Sequence, residues 1–335
     1  MRAYEIQQST GINALTRVER PEPHPNCGQV LIRVRATSLN YRDLLVLQGS
    51  YPGQQDSVIP MSDGAGDVVA VGEGVTRVQV GDRVAGIFFQ SWLTGEMSKP
   101  ITKSDLGGSI DGMLADYVTL NQDGVVHLPD HLSYEEGATL PCAAVTAWHG
   151  LVTKGNLKAG ETVLLLGTGG VSTFALQFAK LHGARAIVTS SSDQKLEQAK
   201  SLGADETINY KTLPDWEREV YRLTQTTGVD HVVEVGGAGT LEKSARSVRY
   251  GGRISLIGVL SGFGGQINPQ LILGKGLTLQ GIYVGSRDMF EAMNQAIAQH
   301  QLRPVINRTF DFSEAKDAYQ YLKSGAHVGK VVIRL

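Results

Sequence analysis

Cysteine is scarce in this 335-residue chain, which contains only Cys27 and Cys142. Two thiols exclude a multi-disulfide framework and any zinc site built from four thiolates, and they fit a reducing compartment. An excess of positive charge is lacking as well, because 31 Lys and Arg residues oppose 33 Asp and Glu residues. With a net charge of −2, the chain has no overall field that would attract nucleic acid or an anionic membrane.

Long apolar runs are also missing. The uncharged stretch 162–179 approaches the length of a membrane span, but glycine and hydroxyl residues interrupt it. Residues 1–5 lead into a polar segment rather than an apolar one, so the sequence predicts no targeting segment and a cytoplasmic location. We therefore expect neither a membrane nor a nucleic acid as a partner.

Glycine, by contrast, is abundant, with 40 residues against an average usage of about 7%. The length predicts two domains at roughly 150 residues each. The first part of the chain contains short β-branched or alternating runs between turn signals, such as Val30–Val34, Asp67–Gly72 and Arg83–Phe88. This pattern is typical of a mostly β domain, and the segment 90–114 is predicted as a long loop.

From about residue 162 the pattern changes to alternating strands and helices. Val163–Leu166 is a continuous apolar run, as in a strand buried on both faces of a parallel sheet. Val171, Phe174, Phe178 and Leu181 then recur at helical spacing. Repeated alternation of this kind predicts a doubly wound α/β domain.

A glycine-rich loop, residues 167–172 (GTGGVS), joins the first buried strand to its helix, where a dinucleotide fingerprint is found. The first glycine permits a tight turn, the second lets the backbone approach a pyrophosphate, and the helix start offers free N–H groups. Ser172 stands at the third fingerprint position instead of Gly or Ala. An ordinary strand–helix turn is the alternative. The residues assigned to the cofactor here are Gly167, Gly169, Gly170 and Val171.

The end of the second strand bears on the choice of nucleotide. An acidic side chain there would bind the ribose diol of NAD, but this sequence has the hydroxyl run 189–192. Ser190 and Ser191 leave room for a 2′-phosphate and supply donors, and Lys195 supplies a cation one turn later. This favours NADP(H), although Lys195 is equally well interpreted as a solvated helix residue.

Several motifs in a fixed order make the chain resemble the medium-chain dehydrogenase/reductase superfamily along essentially its whole length. The resemblance implies a GroES-like, mostly β catalytic domain (1–125 and 286–335) and an NADP-binding Rossmann domain (126–285), with the nicotinamide in the cleft between them. The motifs that carry it are Asn40–Asp43, Gly64–Val69, Val71–Val75, Gly81–Val84, Thr146–Trp148 and the glycine loop.

The same resemblance assigns further cofactor residues. It implies that Gly236 and Gly258 approach the nicotinamide ribose, and it assigns Thr146 to the cofactor site. It also implies that the base of the pair Gly329-Lys330 lies near the cofactor phosphates.

Zinc-dependent members of the superfamily carry metal ligands at positions that correspond to Asn40, Ser62 and Cys142. Asn and Ser are not useful zinc ligands, and one thiolate does not make a three-ligand catalytic site. The predicted loop 90–114 contains no cysteine for a structural zinc lobe. The sequence therefore predicts no metal, and Cys142 is interpreted as a small buried residue in preference to a catalytic thiol.

Asn40 together with Tyr51 resembles the zinc-free quinone oxidoreductase branch. In that branch a Lys and a Tyr hold the 2′-phosphate, and the matching residues are Lys195 and Tyr210. Tyr210 has an alternative interpretation, as an aromatic ring that covers core.

Without a metal to stabilise an alkoxide, the expected substrate is a quinone or an α,β-unsaturated carbonyl, whose added charge is delocalised. We expect hydride transfer from NADPH, with Asn40 and Tyr51 as donors near the substrate oxygen and Tyr51 or water as proton source. The predicted catalytic set also includes Asp43, Ser62 and Asp63, although either carboxylate is equally interpreted as stabilising the fold.

Two other functions remain open on the sequence. One is a metal-free NADP-dependent alcohol dehydrogenase or carbonyl reductase, and the other is a cofactor-binding sensor with little turnover. The apolar segment 276–283 is predicted as an open sheet edge, so a homodimer is also expected.

Overall fold

A computed structural model describes residues 1–7, 11–262 and 264–335 of the chain. The chain forms two compact units, one of residues 1–145 with 284–335 and the other of residues 146–283. The two-domain α/β fold class predicted from the sequence is confirmed. Residues 126–145, which the sequence assigned to the second domain, belong to the first unit, where Ser38 Oγ donates a hydrogen bond to the Ala138 carbonyl (2.9 Å).

The first unit is rich in strands. Its strands are β1 (Arg2–Gln7), β2 (Leu15–Glu19), β3 (Gln29–Leu39), β4 (Ser57–Val58), β5 (Asp63–Val71), β6 (Arg83–Gly86), β7 (Tyr117–Asn121), β8 (Val125–His127), β15 (Ile306–Asp311) and β16 (Lys330–Arg334). The largest sheet has the order β15-β16-β3-β5-β6-β8, with β7 also paired to β3, and a smaller sheet has the order β2-β1-β4.

The pairing of β16 with β3 determines where the C-terminal segment lies. The two strands run antiparallel, with Val331 opposite Leu39. This register places the start of β16 beside the end of β3, immediately before Asn40. The chain thereby joins residues about 290 positions apart in one sheet.

Helices of the first unit cover this sheet and lie at its ends. α1 begins after Asn40, and the Asp43 carboxylate accepts a hydrogen bond from the Asn40 N–H (2.7 Å), which closes the first turn. Leu47, Met61 and Tyr319 are fully buried in the apolar core nearby. The helices are α1 (Tyr41–Leu47), α2 (Tyr134–Gly137), α9 (Arg287–Gln299) and α10 (Ala315–Ser324), with a π-helical turn at Leu140–Ala144 and 3₁₀ turns at Ile12–Ala14, Ile101–Lys103, Gln122–Gly124 and Phe312–Glu314.

The second unit contains a parallel sheet with helices between its strands. The strands are β9 (Thr162–Leu166), β10 (Arg185–Ser190), β11 (Glu206–Asn209), β12 (Val229–Glu234), β13 (Val248–Leu256) and β14 (Thr278–Gly281). They lie in the order β11-β10-β9-β12-β13-β14. The strand order reverses between β9 and β12, and ligands of such sheets bind in the crevice at the carboxyl ends of the strands there. The helices are α3 (Val145–Trp148), which begins one residue before the unit, α4 (Gly170–Leu181), α5 (Asp193–Ser201), α6 (Trp216–Leu223), α7 (Leu241–Ser247) and α8 (Pro269–Lys275), with a π-helical turn at His149–Thr153.

The packing of α4 on β9 follows the predicted pattern. Phe174 and Phe178 are fully buried, and the Phe178 ring meets Trp148 edge-on at 5.3 Å between centroids. Ser172 is buried, and its Oγ donates to the Leu166 carbonyl (2.7 Å) at the end of β9. Across the described ranges, no helix combines the length and apolarity that crossing a membrane would require.

Candidate active site

The glycine loop of the second unit has the geometry of a phosphate-binding turn. Gly167 has a φ of 75°, a conformation that L side chains rarely adopt. Its N–H donates to Thr189 Oγ1 (3.3 Å), which ties the turn to the end of β10. The first N–H groups of a helix have no intrahelical acceptor, and at the start of α4 no side chain of the N-cap residue, Gly169, replaces it.

The space above this turn fits a nucleotide phosphate. A Cβ placed on Gly167 or Gly169 would meet no atom within 4 Å. The turn thus leaves open space beside the N-terminus of α4, where the helix dipole stabilises an anion. Gly170 and Val171 begin the helix and are partly exposed. Gly167, Gly169, Gly170 and Val171 are thus brought together.

The predicted 2′-phosphate residues gather at the ends of β10 and β11. The Tyr210 N–H donates to the Ser190 carbonyl (3.0 Å), and Tyr210 is 41% exposed. Lys195 is on α5, which packs against both strands, and burial lowers the pKa of its ammonium from the ordinary value. Ser190 is buried and Ser191 partly exposed.

The loop after β12 depends on a residue that the sequence reasoning missed, Glu234. Its fully buried carboxylate accepts hydrogen bonds from the N–H groups of Gly236 (2.8 Å) and Gly237 (3.0 Å). Thr240 Oγ1 (2.6 Å) and the Ser244 hydroxyl also donate to it. An acidic residue directly after the apolar pair Val232-Val233, at the end of a buried strand, was the available signal.

Two glycines assigned to the nicotinamide are required by the protein's own packing. A Cβ on Gly258 would lie 2.1 Å from the Val235 carbonyl oxygen, and one on Gly236 would lie 2.2 Å from Thr240 Oγ1. Thr146 is buried in the second unit.

In the first unit, two of the predicted catalytic residues, Asn40 and Asp63, contact a buried lysine. Lys330 is 2% exposed, and its Nζ donates to Asn40 Oδ1 (2.6 Å) and to the Leu39 carbonyl (2.7 Å). This lysine was assigned to the cofactor phosphates, but its hydrogen-bonding partners are at the start of α1. The Asn40 Nδ2 is buried and has no hydrogen-bond partner in the described part of the chain.

A carboxylate lies on the other side of this lysine. Asp63 Oδ2 is 3.6 Å from Lys330 Nζ, and both side chains are buried. Ser62 Oγ donates to Asp63 Oδ1 (2.8 Å), and Ser38 Oγ lies 3.3 Å from Oδ2. Ser62 is fully buried, and its hydroxyl serves to hold this carboxylate.

A second buried ion cluster adjoins the first through α1. Arg42 donates to Asp105 Oδ2 (2.6 Å) and to the Leu106 carbonyl (2.8 Å), and it lies 3.4 Å from Asp43 Oδ1. The guanidinium stacks 4.2 Å from the centre of the buried Tyr51 ring. Burial raises the pKa of Asp43 to about 6, and the nearby Asp63 adds to the rise, while Arg42 opposes it.

The residues at the zinc-ligand positions do not fit a catalytic zinc. Zn²⁺ in proteins is held by thiolate, imidazole or carboxylate groups. Here Asn40 Oδ1 already accepts a bond from an ammonium, and Ser62 is bonded to Asp63. Burial, and then the charge of Asp63, raise the pKa of the Cys142 thiol, so it stays protonated at neutral pH. Among the residues that the structure describes, no cluster of three His, Cys, Asp or Glu side chains has a metal-binding arrangement.

Comparison with known sequences places the chain in a family. The family described as "Alcohol dehydrogenase GroES-like domain" matches residues 26–130, and the family described as "Zinc-binding dehydrogenase" matches residues 170–299. A zinc-type alcohol dehydrogenase-like protein of Schizosaccharomyces pombe is 47% identical over 317 residues, 92% of each chain. The chain belongs to the medium-chain dehydrogenase/reductase superfamily, and it is an oxidoreductase of that superfamily.

Other relatives differ in their substrates and cofactors. An acryloyl-coenzyme A reductase of Metallosphaera sedula is 30% identical over 330 residues, 94% of this chain and 95% of that protein. A putative alcohol dehydrogenase of Sinorhizobium meliloti has a TM-score of 0.93 at 42% identity, covering 99% and 98% of the two chains. An NAD-dependent alcohol dehydrogenase has a TM-score of 0.91 at 33% identity over the full length of both chains.

Two mycobacterial structures are similar over the full length of both chains at 27% identity. One is complexed with NADPH and has a TM-score of 0.85, and the other is a quinone oxidoreductase with a TM-score of 0.82. NADPH binding among structural neighbours supports a nicotinamide dinucleotide as the cofactor of this chain.

Proposed function

We propose that this protein is a zinc-independent, NADPH-dependent reductase of a quinone or an α,β-unsaturated carbonyl compound. The observation that carries the proposal is the Asn40 amide, which stands at a zinc-ligand position and keeps a buried Nδ2 without a partner among the described residues. A buried amide N–H that lacks an acceptor is destabilising unless a ligand supplies one. A substrate carbonyl oxygen is such an acceptor.

The chemistry of this donor sets the substrate class. NADPH, when bound, supplies a hydride. An amide N–H stabilises a partial negative charge on oxygen but does not stabilise a localised alkoxide as a metal ion does. Addition of hydride to a conjugated carbonyl leaves the charge spread over several atoms, so a hydrogen bond from Asn40 is sufficient. The acryloyl-coenzyme A reductase among the relatives acts on such a conjugated system.

Proton delivery completes the reduction. Tyr51 is buried against Arg42, in the cluster that adjoins Asn40 through α1, and we assign its hydroxyl as one proton source and water as the other. The Asp63 carboxylate pairs with Lys330 and accepts a hydrogen bond from the Ser62 hydroxyl. We assign to Asp63 and Ser62 the role of orienting Lys330.

The cofactor assignment rests on the second unit. The hydroxyl residues Ser190 and Ser191, with Lys195 and Tyr210, would hold the 2′-phosphate of NADPH, and the glycine loop would hold the pyrophosphate. Gly236 and Gly258 retain their assignment near the nicotinamide ribose, and Thr146 retains its assignment to the cofactor.

An alternative function is metal-free alcohol dehydrogenation or carbonyl reduction, which the alcohol dehydrogenase relatives favour. The experiment that separates the two measures NADPH and NADH oxidation with 1,4-benzoquinone, cyclohex-2-enone and saturated aldehydes, with and without a chelator. The proposal expects chelator-insensitive NADPH oxidation with the quinone or the enone. Chelator-sensitive alcohol oxidation would overturn it, and tight NADPH binding without any turnover would favour a cofactor-binding sensor.

Asn40→Ala tests the residue that carries the proposal. Loss of one donor to the developing oxyanion lowers kcat by about a hundredfold or more, with NADPH affinity unchanged. The conservative control is Ser98→Ala, in an exposed loop of the same unit. A wild-type kcat in the Asn40→Ala enzyme would show that Asn40 does not donate to the reacting oxygen.

A further inference from the structure

Lys330 is a buried cation whose hydrogen bonds go to neutral oxygens. Its Nζ donates to Asn40 Oδ1 and to the Leu39 carbonyl, and it forms an ion pair with Asp63, whose Oδ2 is 3.6 Å away. Removing an ammonium from water is destabilising by several kcal/mol, and a hydrogen-bonded carboxylate is the usual compensation. The ammonium forms an ion pair with Asp63 at 3.6 Å, while its hydrogen bonds reach the Leu39 carbonyl and the Asn40 amide oxygen and polarise these two groups directly.

The contact fixes the orientation of that amide. An ammonium has donors only, so it cannot accept a hydrogen bond from an amide NH₂. The oxygen of Asn40 must therefore face Lys330, and Nδ2 must point away from it.

The charge also changes the strength of the donor. A hydrogen bond accepted from a cation at the amide oxygen draws electrons toward that oxygen and makes the N–H groups more acidic. The buried Asn40 Nδ2 has no hydrogen-bond partner among the described residues, and the same holds for Arg42 Nε in the adjoining cluster. The polarised end of the amide is thus the end available to a ligand.

We propose that Lys330 is a positioning residue that orients and polarises Asn40 as the hydrogen-bond donor to the substrate oxygen. This inference rests on the proposed function, since it assumes that Asn40 donates to a reacting oxygen. Lys330 supplies its positive charge through Asn40, whose amide oxygen accepts the hydrogen bond of the ammonium. A single charge that acts through an amide suits a delocalised enolate or hydroquinone rather than an alkoxide.

A double-mutant cycle tests this role. Lys330→Met removes the charge and keeps a flexible stem of similar size, and it is measured in the wild-type and Asn40→Ala backgrounds with cyclohex-2-enone and 1,4-benzoquinone. We expect kcat to fall about tenfold or more in the wild-type background and less than threefold in the Asn40→Ala background. NADPH affinity, measured by fluorescence titration in the absence of substrate, is expected to be unchanged in both.

A matched control separates catalysis from folding. Lys275 in the second unit is another lysine whose Nζ donates to backbone carbonyls, those of Ala245, Arg246 and Val248. Lys275→Met is expected to lower stability but not the kcat of the folded enzyme. If Lys330→Met does not fold, Lys330→Gln keeps a donor to Asn40 without the charge, and it is expected to show the same dependence on Asn40.

Three results would overturn the inference. Equal losses of kcat in the two backgrounds would show that Lys330 acts independently of Asn40. Weaker NADPH binding at unchanged kcat would return Lys330 to the cofactor phosphates. Wild-type kcat in both Lys330 variants, with Asn40→Ala still impaired, would refute this inference and leave the proposed function standing, whereas a wild-type enzyme without quinone or enone turnover would refute the proposed function itself.

Discussion

At the scale of single residues, the first unit concentrates buried charge around α1. Asp43, Asp63 and Asp105 are buried together with Arg42 and Lys330. Buried ions of this kind are poor evidence for stability, because desolvation offsets much of their attraction. We assign these buried ionic groups to the candidate active site because they lie next to Asn40 and Tyr51.

Asp43 gives a prediction for the pH dependence of stability. Its pKa is raised from 3.8 in the unfolded chain to about 6 in the folded protein, so the native state binds the extra proton between these pH values. The contribution of Asp43 to stability is therefore fully present below pH 4 and is lost as the pH rises through 6. The lost contribution amounts to up to about 3 kcal/mol.

Urea unfolding of wild type and Asp43→Asn between pH 4 and 7 measures this contribution. The Asn side chain does not titrate but can still accept the hydrogen bond that closes α1. Wild-type stability relative to the variant should decrease across that range. A constant difference would show that Asp43 titrates with an ordinary pKa.

Lys195 gives a prediction for cofactor choice. A charge-assisted contact with a 2′-phosphate is worth about 1.5–3 kcal/mol, so Lys195→Ala should raise the NADPH KM about tenfold or more and leave the NADH reaction nearly unchanged. Lys200→Ala is the matched control, since Lys200 lies on the same helix and pairs with Glu197. Steady-state kinetics with both cofactors check this, and an unchanged ratio of the two KM values would exclude Lys195 from the phosphate site.

At the scale of elements, the glycines of the parallel sheet fall into two kinds. Gly169 faces open space before α4, whereas Gly258 touches the backbone of the neighbouring strand. The first kind leaves room for a ligand, and the second allows the chain to pack on itself. The sequence alone does not distinguish the two kinds, because both are glycines that follow a strand.

Alanine at each position separates these two kinds. Gly169→Ala should change the free energy of unfolding by less than about 0.5 kcal/mol while weakening NADPH binding roughly tenfold, because its methyl group occupies the approach to the pyrophosphate. Gly258→Ala should destabilise the protein by about 1–3 kcal/mol, because its Cβ would overlap the Val235 carbonyl. Chemical unfolding and fluorescence titration measure both quantities, and a destabilised Gly169→Ala protein with normal NADPH affinity would contradict the assignment.

At the scale of the whole molecule, we propose that the chain forms a homodimer through the open edge of its parallel sheet. β14 is the last strand of that sheet, and α8, which leads into it, has no buried residue. Leu273 on α8 is 83% exposed. Exposed apolar groups beside an open strand edge are a typical surface for pairing with a second copy.

Sedimentation equilibrium tests the dimer. Wild type should have a mass twice the 36.0 kDa of the chain. Leu273→Asp should shift the equilibrium toward monomer, whereas Val80→Asp, at an exposed apolar residue of the first unit, should not. A monomeric wild type at micromolar concentration would refute the proposal.

Much of this protein follows from local sequence. Alternating and continuous apolar runs reflect the two-residue and 3.6-residue periods of strands and helices, so the strands Val163–Leu166 and Val30–Val34 and the helix after Gly170 were predictable. The identity of Asn40 and Ser62 is likewise a matter of sequence, and it determines which metal ligands are missing.

The partner of Lys330 was decided only by the tertiary structure. Lys330 and Asn40 are about 290 residues apart, and they meet because β16 pairs with β3 in one particular register. Side chains near each other in sequence do not encode that register, which depends on burial of the whole sheet face. The hydrogen bonds of the Glu234 carboxylate also depend on tertiary structure, because its donors, Gly236 N–H and the Thr240 hydroxyl, reach it only when the loop after β12 folds around it. Sequence thus determined which chemical groups are available, and the long-range pairing of strands determined which of them act together.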